Sequence, residues 1–263
     1  MSQSQPASAE TRPQNLDNRL LVLGIVGGAL LIYLGGALLS PYTYGDPAFV
    51  MDYFKTELLV TGYLWLVTTA LFPADRLGFR WPQLARIRQL LPVLGFFLVT
   101  VASWLYMRLS LADGTPVDNH QSLLILRTTS VVGLTEEWLF RGLLLAALCR
   151  WLGLRLGALL ALLSFGCFHL INLAVGVPPA LALMQVVSTI LIGSIFLLTA
   201  IATRSLLLPI VVHAFYDFAV IDMNALAQIG ASNLPLLIVP LVGYGAGLVS
   251  LVMVLRLQNR EVY

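Results

Sequence analysis

The sequence predicts an all-α membrane protein: a polytopic bundle of about eight transmembrane helices with both termini in the cytoplasm. Three observations carry this. The first is composition. Of 263 residues, 59% are hydrophobic and 11% are charged, where a soluble domain has about 25% charged residues; the mean hydropathy is +0.88. The second is the recurrence of apolar stretches close to the ~20 residues needed to cross a bilayer, at roughly 20–39, 56–73, 91–111, 122–149, 155–177, 180–202, 206–228 and 234–256. The third is charge placement. Arg12, Arg19, Arg76, Arg80, Arg86, Arg88, Arg150, Arg155, Arg204, Arg256 and Arg260 all fall on one side of that layout, whereas the opposite loops hold only Lys55 among acidic residues. That is the pattern of the positive-inside rule.

Taken in order, residues 1–18 read as a short polar, disordered cytoplasmic tail. The first apolar run is too long for a signal-peptide core and lacks a convincing cleavage site, so it reads as a retained anchor. Residues 19–121 hold the N-terminal transmembrane helices. Within them, 74–90 alternates arginines with Leu, Phe, Trp and Ile, as expected of an amphipathic cytoplasmic loop on the membrane surface. The loop 113–120 faces outward. Residues 122–228 form the chemical core, and 229–263 form the last helix and a short tail. Cys149 and Cys167 lack metal-ligand spacing and read as buried apolar residues. No basic patch with interleaved aromatics is present, so nucleic acid is not an expected partner.

Ionisable side chains at membrane depth are expensive and mark function, and here they cluster in three apolar stretches. In Glu136-Glu137-Trp138-Leu139-Phe140-Arg141, Glu137 and Arg141 are four residues apart on one helix face, a favourable ion-pair spacing. Glu136 points about 100° away and is left without a partner on its own helix, the position expected of a general base. In Phe165-Gly166-Cys167-Phe168-His169, the first and last residues share a face, with Asn172 roughly in line. In His213-Ala214-Phe215-Tyr216-Asp217, the aspartate can orient the imidazole, or the two can act together on a metal or a water. Arg108, Arg127, Asp222, Trp104 and Trp138 read as structural, Arg108 by snorkelling. Gly133 and Gly142 are expected to allow close helix approach. One discrepancy remains: at about 1.5 Å per residue, Glu136 and His169 lie roughly 20 Å from the cytoplasmic helix ends, and His213 only about half as far.

These three elements, in this order and on separate apolar spans, resemble the CAAX protease and bacteriocin-processing (Abi, CPBP) family of intramembrane proteases. The resemblance implies an intramembrane endopeptidase that hydrolyses a peptide bond of a membrane-associated protein or peptide. It implies Glu136 and His169 as activators of water, with His213 and Asp217 completing the catalytic set. Glu137, Arg141, Phe165 and Asn172 support them. A glutamic mechanism without a cofactor is expected. Zinc is the metal that two histidines and a carboxylate can hold, and its ligands would then be Glu136, His169 and His213, but the His-Glu-x-x-His motif is absent. The alternatives are a non-catalytic scaffold or immunity protein of the same fold and, further off, a proton-coupled transporter. The few lysines and many arginines point to a bacterial inner membrane as the location.

Overall fold

A computed structural model describes residues 15–44, 47–111, 115 and 117–257; most of the expected N-terminal tail, and Asp113, Gly114 and Pro116 of the outer loop, lie outside them. The described residues hold helices and turns and no strand. The helices are α1 Arg19–Leu39, α2 Pro47–Leu71, α3 Leu91–Leu109, α4 Asn119–Glu136, α5 Leu145–Leu152, α6 Leu154–Phe168, α7 Pro179–Thr203, α8 Leu207–Gln228 and α9 Leu234–Arg256. A π-helical segment, Glu137–Leu144, joins α4 to α5, and a 3₁₀ segment, His169–Val175, extends α6. Six helical stretches are long and apolar enough to cross a membrane. The two remaining long runs, 47–71 and 119–152, are those that carry Asp52, Lys55 and Glu57, and Glu136, Glu137 and Arg141.

Local chemistry sets the helix ends. Asn18 caps α1 by accepting from the Leu21 N–H at 3.1 Å, and Asp118 caps α4 through the Gln121 N–H at 3.0 Å. Prolines occupy the first turn of α3, α7 and α9, where a missing N–H costs nothing. Gly153, at φ 80°, turns the chain from α5 into α6. Leu31, Leu66, Leu109, Leu237 and Leu241 are largely exposed, as lipid-facing side chains must be. The core lies around the α4–α5 run, α6, α7 and α8, and holds Leu139, Leu143, Phe165, Ile195 and Phe196.

Hydrogen bonds gather the arginine-bearing turns. Arg150 binds Asp17 at 2.9 Å, Trp151 Nε1 donates to the Leu16 carbonyl at 2.9 Å, and Arg155 donates to the Leu257 carbonyl at 3.3 Å. The 74–90 segment, expected on the membrane surface, is tied into the bundle. The Leu206 N–H donates to the Gly78 carbonyl at 2.8 Å and the Gln83 N–H to the Thr203 carbonyl at 2.8 Å. Arg80 Nε donates to the Arg204 carbonyl, and Ser205 Oγ to the Arg80 carbonyl, both at 2.5 Å. Leu77 and Leu206 are buried beneath these bonds.

This anchorage answers the depth discrepancy. The helices are staggered: α8 starts inside the bundle against the 78–83 segment, so the seventh residue of α8, His213, reaches the level of Glu137.

Helix α4 lies against α8 at Gly133. A Cβ there would come within 2.9 Å of both the Ala214 Cβ and its backbone nitrogen, and 3.0 Å from the Ile210 carbonyl. Two of those three atoms are backbone and cannot turn aside. Gly133→Ala is therefore expected to cost about 1–3 kcal/mol, read as a lower thermal unfolding midpoint of the detergent-solubilised protein; an unchanged midpoint would mean that this contact can open without cost.

Candidate functional site

The site begins where the α4 helix widens. Residues 137–144 follow the π pattern, a local widening that recurs at functional sites. Its first residue, Glu137, is fully buried. One of its oxygens, Oε1, serves two partners: Arg141 Nη1 donates to it at 2.8 Å, and His213 Nδ1 lies 2.8 Å from it. With Arg141 beside it as a fixed cation, Glu137 is the acceptor, so Nδ1 of His213 carries the hydrogen. The other oxygen, Oε2, is buried with no partner.

Arg141 is held on every side. Its Nη2 donates to the Gly193 carbonyl at 3.0 Å, and its guanidinium lies 3.9 Å from the Phe165 ring centroid and 5.7 Å from that of Phe196. A Cβ on Gly193 would meet Phe165 at 2.7 Å and Arg141 Nη2 at 3.0 Å, so the absence of a side chain there makes room for the cation.

The expected i,i+4 pair is thus present, but Glu137 does more than neutralise Arg141: it also fixes His213. Phe196 stacks on the imidazole at 4.4 Å with an 18° interplanar angle, and Phe165 meets it edge-on at 5.9 Å. The remaining nitrogen, Nε2, faces two carboxylates, Asp217 Oδ2 at 3.4 Å and Glu136 Oε2 at 3.7 Å. Asp217 therefore lies on the reactive edge of the ring, and the tautomer is set from the opposite edge by Glu137. Glu136 is buried, while the Asp217 side chain is 27% exposed.

His169 is the first residue beyond α6. Its Nδ1 lies 2.9 Å from the Phe165 carbonyl. A carbonyl only accepts, so Nδ1 carries the hydrogen and Nε2 presents a lone pair. Phe165 packs near-perpendicular to both imidazoles, at 5.1 Å from the His169 ring and 5.9 Å from that of His213. Asn172 turns toward α7, where its Nδ2 donates to Gln185 Oε1 at 3.0 Å. The structure thus gathers Glu136, Glu137, Arg141, Phe165, His213 and Asp217 into one cluster, with His169 at its edge and Asn172 beyond it.

Two features of the site were not legible in the sequence. Phe196 sits in an apolar run with nothing to distinguish it. Glu57 is fully buried and accepts a hydrogen bond from the Tyr33 hydroxyl at 3.0 Å, and its other oxygen has no partner. Asp52 and Lys55 lower the local hydropathy, which places the apparent start of this span at residue 56 and Glu57 at the helix mouth. Helix α2 in fact starts at Pro47, about 14 Å earlier at the helical rise.

Other residues read as structural have defined partners. Asp222 is buried and accepts from Trp104 Nε1 at 2.8 Å, Arg108 Nη2 at 2.9 Å and Ser122 Oγ at 2.6 Å. Arg108 is therefore an ion-pair partner and does not snorkel. Arg127 stacks on Phe54 at 3.9 Å.

Among the described residues no three His, Cys, Asp or Glu side chains are placed to hold a metal. Nδ1 of His213 is committed to Glu137, which leaves Nε2 to face Glu136 and Asp217.

Residues 118–219 match a family model described as Rce1-like, Type II CAAX prenyl endopeptidase Rce1-like, in agreement with the family read from the motifs. The match covers less than half of the chain, from the N-cap of α4 to the middle of α8, and supports an intramembrane endopeptidase of that type within a multi-pass membrane protein. No curated protein and no solved structure matches the chain.

Two outcomes follow from the buried pairs. Glu137→Gln leaves Arg141 as an uncompensated buried cation and is expected to cost about 3–5 kcal/mol. Tyr33→Phe removes a hydrogen bond from the buried Glu57 carboxyl and is expected to cost about 1–3 kcal/mol. Unfolding by denaturant in detergent measures each, and a fully stable Glu137→Gln protein would rule out the ion pair as a support of the fold.

Proposed function

We propose that this protein is a metal-free intramembrane endopeptidase in which Glu136 acts as the general base and His213 as the electrostatic partner of the developing oxyanion. The observation that supports this best is the setting of His213. One ring nitrogen is locked by Glu137 at 2.8 Å, and the other is turned toward Glu136 and Asp217.

The chemistry runs in two steps. Water attacks the peptide carbonyl carbon while Glu136 takes its proton, and the Nε2 lone pair of His169 accepts the water's second hydrogen as a hydrogen bond and so orients it. His213, protonated on both nitrogens among three carboxylates, directs Nε2–H at the oxyanion. The C–N bond then breaks as the amine takes the proton from Glu136, which returns the carboxylate and releases a new carboxyl end and a new amino end. Asp217 and Glu136 hold the imidazolium until then. Glu137 and Arg141 position these groups and exchange no proton.

The substrate is a membrane-associated protein or peptide. The prenylated substrate in the name of the matched family is not assigned to this chain. The arginine distribution supports a bacterial inner membrane with the arginine-bearing turns in the cytoplasm.

Co-expression with membrane-anchored proteins of the native host, followed by mass spectrometry of fragments, tests the reading. Wild type is expected to yield fragments that are absent with Glu136→Gln, a near-isosteric change that removes the base, with both proteins equally stable in the membrane. Equal fragments from both proteins would remove Glu136 from the chemistry. A zinc chelator is expected to leave the rate unchanged; activity lost to the chelator and restored by zinc alone would replace the metal-free mechanism.

A further inference from the structure

Asp217 is the ionisable member of the catalytic cluster with appreciable exposure, 27% for its side chain, and it marks where the cluster opens. Beside it lies a residue outside the matched segment that the chemistry above does not use: Tyr44, in the turn after α1. The main chain fixes its position. The Tyr44 N–H donates to the Val175 carbonyl at 2.9 Å, at the end of the 3₁₀ segment that begins with His169. Gly176 follows at φ 86°, and a Cβ there would come within 3.4 Å of the Thr43 methyl. The Tyr44 ring packs on Phe49 at 5.8 Å.

Tyr44 is half-exposed, and its hydroxyl is turned toward the carboxylates. Partial burial pushes its phenol above the usual tyrosine range. Asp217 pushes it further, a hydrogen bond from Gln185 opposes them, and Glu136 adds a smaller push. A phenol raised in this way keeps its hydrogen at neutral pH.

The Gln185 amide has a fixed sense. Its Oε1 accepts from Asn172 Nδ2 at 3.0 Å, so the end left for Tyr44 is the Nε2 donor. The three residues form a directed chain: Asn172 donates to Gln185, Gln185 donates to the Tyr44 oxygen, and the Tyr44 O–H is the hydrogen left over. This gives Asn172 a task, although it turns away from the cluster. A peptide bond presented to Glu136 through the opening at Asp217 passes that O–H.

We propose that the Tyr44 hydroxyl donates to a backbone carbonyl of the substrate at the opening of the site, beside the scissile bond, with Gln185 and Asn172 as its positioning residues. The acceptor is an amide carbonyl, so the contact holds a segment without choosing its side chains. The substrate in this proposal rests on the endopeptidase reading; the donor chain does not.

Two measurements on the full-length protein test it. The first needs no substrate. A tyrosine carrying fluorine beside the hydroxyl is placed at position 44 alone, and its fluorine NMR shift is titrated in detergent. The midpoint is expected to rise in Gln185→Leu, which removes the donor, and to fall in Asp217→Asn, which removes the charge. A midpoint unmoved by either substitution would overturn the chain. The second uses the host protein whose fragment depends on Glu136. Tyr44→Phe is expected to raise KM about tenfold, the worth of one hydrogen bond, with kcat and the unfolding midpoint nearly unchanged. Gln185→Leu should act in the same direction, and the double variant should be no worse than Tyr44→Phe alone; should Tyr44→Phe not fold, Gln185→Leu carries the KM test. An unchanged KM, or losses that add in the double variant, would overturn the proposal. Shifted midpoints without any cleavage by wild type leave the donor chain standing and remove the endopeptidase reading. Cleavage with unmoved midpoints removes the chain alone.

Discussion

One buried charge pair organises the centre of this molecule. Arg141 and Glu137 meet at 2.8 Å with almost no exposure on either side chain, in surroundings where an unpaired charge costs several kcal/mol. Each partner spends its remaining capacity on a different helix: the cation on the Gly193 carbonyl of α7 and the Phe165 ring of α6, the carboxylate on His213 of α8. Four chain segments are thus fixed relative to one another by the need to satisfy two ions. The aromatic packing of Phe165 and Phe196 excludes water around the pair, which strengthens each of those interactions.

That arrangement divides the two adjacent glutamates by environment. Glu137 is engaged through Oε1 by Arg141 and His213 together. Glu136, one residue earlier, places an oxygen 3.7 Å from Nε2 of His213. Adjacent positions on a helix diverge by about 100°, so two identical side chains meet different neighbours and suit different tasks.

That Glu136 and Glu137 meet different neighbours was legible in the sequence, because it follows from helical periodicity alone. So were the eight helical runs, the Glu137–Arg141 spacing, and the glycine at the α4–α8 contact. Three things were not. The edge of His213 that each carboxylate takes depends on the rotation of α8 against α4, which no single-helix pattern encodes. The depth of Glu57 was hidden because Asp52 and Lys55 made its helix look as if it started nine residues late. The partners of Asp222 come from α3 and α4, distant in sequence, and nothing local distinguishes an exposed aspartate from one that binds Trp104 and Arg108. In each case the missing information is tertiary: which faces of separate helices are brought together.

The stagger of α8 has a consequence for how this protein can vary. The start of α8 is set by bonds that run largely through the main chain, between Gly78 and Leu206, Gln83 and Thr203, and Arg80 and the 204–205 turn. Main-chain bonds are indifferent to most side chains but not to spacing. Outside Gly78, at φ 87°, and Arg80, whose side chain donates to the Arg204 carbonyl, the 78–83 segment should therefore vary in residue identity while its length stays constant, since one added or deleted residue would shift His213 by about 1.5 Å along its helix axis. It acts as a ruler for the distant imidazole, although it contributes no side chain to the chemistry.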